Sequence, residues 1–246
     1  MNLVFASFPD NPPLDIAISK ALLDRISQGD EEDTLRIYIP PKVIAFGPQD
    51  ITSKGFNSAK IASRIHGFVP VRRIVGGRAL AMSKNTIAFS LIKKSDNPRS
   101  GLIPRFIAIS NSLRTVLKNL GLDANVGKID GEYCPGDFSI NARHVKKIIG
   151  IGQRIASKAT YLGGVIVLEN QKSIKEILTD IYSHLEIEWN PNTVGSISEE
   201  IGKISIKNVI HELIEVFSLY NDLREVNLSK ETLNLAKNLI DSYKIL

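Results

Sequence analysis

Lys146-Lys147-Ile148-Ile149-Gly150-Ile151-Gly152-Gln153-Arg154-Ile155 is the stretch on which the fold reading turns. Its two glycines, one residue apart, begin the pattern of a phosphate-binding turn between a strand and a helix. The third glycine of that pattern is missing: Ile155 stands in its place, and the residues after it read as turn and strand. A doubly wound, dinucleotide-binding sheet is therefore rejected. The whole region from 124 to 168 is β-rich, through Ser139-Ile140-Asn141, Lys147-Ile148-Ile149 and Gly164-Val165-Ile166-Val167-Leu168.

Outward from that region the periodicity changes. Leu14, Ile18, Leu22 and Ile26 recur every four residues and predict a helix over 14–28. Asp30 to Asp33 reads as a solvated loop. Leu35–Ile39 alternates as a strand, Pro40-Pro41 breaks it, and Val43–Phe46 resumes. A helix fits 53–66, ended by Gly67. Strands are expected at 69–73 and 86–92, either side of a Gly-Gly turn, and an amphipathic helix at 104–120, stopped by Gly121. The tail reads as three helices, 171–184, 206–221 and 229–244, the last begun by Ser229 as N-cap. Strands in the middle with helices before, between and after predict an α+β fold with a mixed or antiparallel sheet. The expected division is a core over 1–170 and a helical extension over 171–246, packed on the core with no separate accessory domain.

Composition narrows the chemistry. A chain of 246 residues with 43% hydrophobic and 23% charged residues suits one soluble domain with a full core. The single cysteine excludes a disulfide framework and fits a reducing cytosol. The four histidines, His66, His144, His184 and His211, share no ligand spacing, so no metal site is expected. The N-terminus lacks a basic region and a long apolar run, so neither a signal peptide nor a membrane span is predicted, and the location reads as cytoplasmic. A net charge of +5 favours acidic partners. The lysines are scattered and no nucleic-acid-binding motif stands out, so nucleic acid is not expected among the partners.

The one cysteine sits in Gly131-Glu132-Tyr133-Cys134-Pro135-Gly136-Asp137, a turn-rich stretch a short reach from Lys146 and Lys147. Nearby positive charge lowers a thiol pKa and enriches the nucleophilic thiolate. The plain alternative is a small buried apolar residue. A second cluster is Arg72-Arg73-Ile74-Val75-Gly76-Gly77-Arg78. Adjacent glycines let a ligand approach the backbone, whose N–H groups can cradle anionic oxygens, and the arginines supply charge. Its plain alternative is a tight turn with solvated arginines.

These motifs carry a family resemblance. Arg72–Ala79 followed by Ala88-Phe89-Ser90 resembles the RRxxGG(R/G)A…(N/T)(F/Y)S signature of the lipoate–protein ligase and octanoyltransferase superfamily. Cys134-Pro135-Gly136, followed by Lys146–Arg154, resembles the CPG…(K/R)KxxGxxQR stretch of its cysteine-dependent acyltransferases. Arg36–Gly47 resembles the family's leading strand pair. The ordered set spans about residues 14–170.

The resemblance implies a mixed sheet enclosing a tunnel for an acyl chain. It implies that Cys134 is the nucleophile, that Lys147 binds the acyl carbonyl or an adenylate phosphate, and that Arg72, Gly76, Gly77 and Arg78 form the loop at the head group. Gly150 and Gly152 would let the acyl chain or adenylate pass close to the strand. Met82 and Ser83 stand where many members have His-Asp, and no segment resembles the β-rich C-terminal domain of single-chain ligases. The leading functional expectation is transfer of an octanoyl or lipoyl group through a Cys134 acyl-enzyme, without a cofactor. The acceptor would be a lysine of an acidic lipoyl domain or glycine-cleavage H-type protein, with acyl carrier protein as a possible donor. The alternatives are an ATP- and Mg-dependent lipoate ligase, with a small partner subunit, and a non-catalytic carrier-binding protein. His144 is a candidate base, though it reads better as a solvated turn residue.

Overall fold

Two long strands, β6 (Thr86–Lys94) and β10 (Ala159–Val167), pair antiparallel along their whole lengths and form the centre of the molecule. The computed structural model describes all residues, 1–246. On one side of this pair lie β2 (Thr34–Tyr38), β1 (Asn2–Val4) and β11 (Arg224–Glu225); on the other lie β9 (Lys146–Ile155), β8 (Ile140–Ala142) and β7 (Ala124–Val126). The eight-stranded order is β11-β1-β2-β6-β10-β9-β8-β7, with only the β11–β1 and β1–β2 pairs parallel. A second, three-stranded sheet is made by β4 (Val69–Arg72), β3 (Val43–Phe46) and β5 (Leu80–Met82).

The β6–β10–β9 register is continuous, so Gly150-Ile151-Gly152 lies inside a strand. That placement agrees with rejecting a phosphate-binding turn there. The strands at 69 and 86, by contrast, are not partners across a Gly-Gly turn. β4 belongs to the small sheet and β6 to the large one, and the short β5 intervenes after a wide loop over 73–79.

Helices cover both faces of the large sheet. α1 (Pro12–Gln28) carries Pro12 and Pro13 in its first turn, where a missing N–H costs nothing, and ends on Gly29 at φ 88°. It packs with α8 (Lys230–Tyr243) over one face, burying Leu14, Ile18, Leu22 and Ile26 against Ile92 and Tyr161. α4 (Leu102–Asn119) and α7 (Ile206–Ser218) cover the other face, around Leu113, Val116, Ile149 and Leu213. α3 (Phe56–Ile65), preceded by the single turn α2 (Pro48–Ile51), packs with α5 (Gln171–His184) beside the small sheet. A short α6 (Ile197–Ile201) follows, capped by the Ser196 side chain.

Residues beyond 170 are woven into this frame. β11 extends the large sheet through β1, and α5 reaches into the third core cluster with Tyr182. No helix is long and apolar enough to cross a membrane. The two sheets are separated by an apolar slot, and the loop over 73–79 crosses its mouth.

Candidate active site around Cys134

Cys134 sits on a turn with φ at 42°, in the left-handed region that a residue with a Cβ enters only at a cost of about 1–3 kcal/mol. Several buried groups hold it there. Its own N–H donates to the Tyr182 hydroxyl at 2.9 Å, and that hydroxyl donates to the Ala79 carbonyl at 3.0 Å. Its carbonyl accepts from Lys147 Nζ at 2.8 Å, and the Tyr133 carbonyl accepts from the same ammonium at 3.0 Å. The third Lys147 proton goes to Glu132 Oε1 at 2.9 Å. Both members of this ion pair are buried, Lys147 at 1% and Glu132 at 3% exposure.

The thiol faces the loop over 73–79. Sγ accepts from the Arg78 backbone N–H at 3.2 Å and from Arg73 Nη1 at 3.2 Å. Burial pushes the thiol pKa up. The Arg73 guanidinium, the Lys147 ammonium and these two donors more than offset it, and the thiol titrates below its ordinary value. A thiol so placed is more reactive than one buried among apolar groups alone.

Gly77 makes the contact possible. Its φ is 106°, and a Cβ there would lie 2.8 Å from Sγ and 2.7 Å from Arg73 Nη1. The loop is pinned from below by Gly47, whose Cβ would strike the Gly77 carbonyl oxygen, and by Asp50. Asp50 is buried, accepts from the Gly47 N–H at 2.9 Å and pairs with Arg78 at 3.3 Å.

Around Cys134 is a cavity of about 280 Å³ whose lining includes Gly76, Gly77, Lys147, Gly150 and Gly152. Six of the residues expected from sequence therefore meet at one place, Cys134 among them. Arg78 contributes its backbone N–H and its pairing with Asp50. Arg72 does not join them. It is exposed at the end of β4, and its neighbour Arg73 lines the cavity instead. Arg72 is the last residue of β4 and Arg73 the first of the loop, where the chain turns toward the slot.

The glycines of β9 also divide their work. A Cβ on Gly152 would meet Val75 at 2.8 Å, so this glycine admits the loop, whereas at Gly150 a Cβ would make ordinary contact with Lys147. Lys146 pairs with Glu199 at 3.4 Å on the other side of the strand. His144 is exposed on the β8–β9 turn.

Arg73, Leu80 and Val165 also line a second cavity between the sheets. Its other walls include Ile16, Tyr38, Met82, Phe89, Tyr161, Gly163 and Gly164, and eleven of its fourteen lining residues are hydrophobic. Met82 thus forms part of an apolar wall. The slot is apolar and adjoins the Cys134 cavity through Arg73, Leu80 and Val165.

Sequence reading missed Arg73, Glu132, Tyr182 and the Gly163-Gly164 pair. The pair had a signal: glycine inside a strand marks close approach of another group. Tyr182 had none, because α5 brings it to Cys134 from 48 residues away.

A family model for the lipoyl protein ligase A/B catalytic domain matches residues 11–218. The octanoyltransferase LipM of Brevibacillus brevis is 24% identical, over 94% of this chain and 91% of its own length. An octanoyl-[GcvH]:protein N-octanoyltransferase of Oceanobacillus iheyensis is 23% identical, covering 83% of this chain and 78% of its own. The crystal structure of a lipoate-protein ligase A bound with ATP superimposes with a TM-score of 0.79 at 20% identity, over 98% of this chain and 94% of the other. With the fold, the slot and the ordered motifs in agreement, the chain belongs to the lipoyl protein ligase A/B catalytic domain family.

Proposed function

We propose that this protein is a cysteine-dependent acyltransferase of protein lipoylation, moving an octanoyl or lipoyl group to a carrier lysine. The observation that carries the proposal is the Cys134 thiol. It is held by Arg73 and the Arg78 N–H at the junction of a polar cavity and an apolar slot.

In the first half-reaction the Cys134 thiolate attacks the carbonyl carbon of an acyl thioester or amide. The tetrahedral intermediate collapses to a Cys134 thioester, and the donor's thiol or amine leaves with a proton from solvent. In the second, the neutral ε-amine of an acceptor lysine attacks that thioester, Cys134 departs as thiolate, and the amine's extra proton goes to solvent. Gly76 and Gly77 line the cavity and their N–H groups have no protein acceptor, which leaves them free to serve the developing oxyanion. One such donor is worth about 3–4 kcal/mol in the transition state. Lys147 supplies positive potential to the thiol. Its three protons are already taken, so it meets an acyl carbonyl only by releasing one of its present acceptors.

The acceptor is an acidic lipoyl domain or H-type protein, and the reaction belongs in the reducing cytoplasm. Supporting this, the two octanoyltransferase relatives cover most of this chain, and one is named for octanoyl-GcvH. A second reading has one observation behind it. Lipoate-protein ligase A subunit 1 of Thermoplasma acidophilum matches 97% of this chain at 21% identity. In that reading Arg73 and the Gly76-Gly77 N–H groups would hold the phosphate of an acyl adenylate formed from ATP, with Mg, and a partner subunit would complete the enzyme.

Intact-mass measurement after incubation with octanoyl-carrier and no ATP separates the two. The transferase gives a hydroxylamine-labile octanoyl adduct that Cys134→Ala abolishes. A reaction that requires ATP and survives Cys134→Ala selects the ligase.

A further inference from the structure

We propose that Glu132 is a positioning residue that fixes the Cys134 turn in the conformation where the thiol meets Arg73 and the Arg78 N–H. The proposal rests on Cys134 being the nucleophile and adds to that reading a cause for its geometry.

Glu132 is buried two residues before Cys134 and accepts four hydrogen bonds. Oε1 takes Lys147 Nζ at 2.9 Å, Ser139 Oγ at 2.8 Å and the Gly136 N–H at 3.0 Å; Oε2 takes the Ile129 N–H at 3.2 Å. These partners bracket the nucleophile: Ile129 and Gly136 are the two ends of its turn, and Ser139 leads into β8. Lys147 extends the brace, carrying it from the carboxylate to the carbonyls of Tyr133 and Cys134. One carboxylate therefore ties both sides of a residue held at positive φ, and Tyr182 closes the arrangement through the Cys134 N–H. Without the carboxylate, Gly136, Ser139 and Lys147 lose their shared anchor. Only the Lys147 and Tyr182 contacts are then left to hold Cys134 against relaxing toward ordinary φ and swinging Sγ away from the loop.

Opposite signs make the idea testable. The charged and titratable groups around the thiol are Arg73 from the loop, Lys147 from β9, Tyr182 from α5 and Tyr133 beside it, with Asp50 of α2 beyond Tyr182. Glu132 adds a negative charge to this set. Acting through space alone, that charge disfavours the thiolate, so its removal would lower the thiol midpoint. Acting as a brace, it favours the thiolate indirectly, so its removal raises the midpoint.

Cys134 is the only cysteine, so the alkylation rate of the whole protein by iodoacetamide, followed by intact mass against pH, reports this thiol alone. The reagent needs no acyl donor, and the readout therefore stands whether or not the transferase reading does. Glu132→Gln removes the charge; Glu132→Asp keeps it and withdraws the carboxylate from Gly136 and Ser139. Both are expected to raise the midpoint by about one pH unit, toward that of an ordinary thiol. A midpoint that falls in Glu132→Gln and is unchanged in Glu132→Asp overturns the proposal. Should Glu132→Gln not fold, Glu132→Asp, which retains the ion pair, decides alone: an unchanged midpoint overturns, a raised one supports.

Discussion

Replacing Gly77 with alanine adds one methyl group at the point where loop and nucleophile touch. The structure assigns two costs to it. The φ of 106° is unfavourable for a residue with a Cβ, worth about 1–3 kcal/mol. The new Cβ would also lie 2.8 Å from Cys134 Sγ and 2.7 Å from Arg73 Nη1, roughly 1 Å inside normal contact. Either the thiol retreats from the Arg78 N–H or the loop lifts; both separate Sγ from its donors. A summed cost of about 2–4 kcal/mol lowers the melting temperature by roughly 4–8 °C for a domain of this size. A 1 Å misplacement of the reacting atom lowers kcat by about 100-fold. Gly76→Ala is the matched comparison. A Cβ at Gly76 meets nothing within 4 Å and its φ is not positive, so stability changes by less than about 1 kcal/mol, with a gain possible through the unfolded chain. Thermal melts and single-turnover acyl transfer on both variants give the answer. Equal effects at 76 and 77 would refute the claim that Gly77 is required by close approach to the thiol.

Three further outcomes are expected. Arg73→Gln removes the nearest cation from a thiol whose pKa that cation depresses. The alkylation midpoint should therefore move up by about one pH unit, and the rate at neutral pH should fall. An unmoved midpoint would shift the role to Lys147. Lys147→Met, which strands a buried Glu132, should cost about 3–5 kcal/mol of stability and most of the activity. Lys146→Ala, across the strand, should cost under about 1 kcal/mol and little activity, read by melts and turnover; equal losses would contradict the register. Finally, a chain of net charge +5 should lose affinity for an acidic carrier between low and moderate salt, while its reaction with a small acyl thioester changes little. A salt-independent carrier reaction would mean that docking is apolar.

The fold was legible where periodicity is undiluted. The helices at 14–28, 104–120 and 171–184 lie within a few residues of α1, α4 and α5, because each buries one apolar stripe. The central strands were legible for the same reason. β1, β5 and β11 were not, since two or three residues hold no pattern, and their strand conformation comes from neighbours supplied by tertiary packing. The assignment of 69–73 and 86–92 to one turn failed because β5 is too short to announce that the chain changes sheets.

At the site, residues joined by local chain geometry were readable and those joined by packing were not. Cys134 and the Lys146-Lys147 pair lie in motifs whose charge and turn chemistry are plain in the sequence. The resemblance singled out Lys147 of the pair, and Cys134 and Lys147 both line the cavity. The choice between Arg72 and Arg73 depends on where β4 ends and the loop begins, which two adjacent arginines leave undetermined until β4 is registered on β3. Lys147 is the more instructive case, because its position was readable and its bonding was not. A lysine beside a candidate nucleophile suggests a free ammonium awaiting a substrate oxygen. A free, fully buried ammonium is costly, however, and Glu132 lies within reach, so the chain satisfies it internally. Burial therefore redistributes the electrostatic work. Arg73, less buried and bonded directly to Sγ, is the first cation acting on the thiol, with Lys147 behind it, and in the proposal above the Lys147–Glu132 pair also sets where that thiol stands.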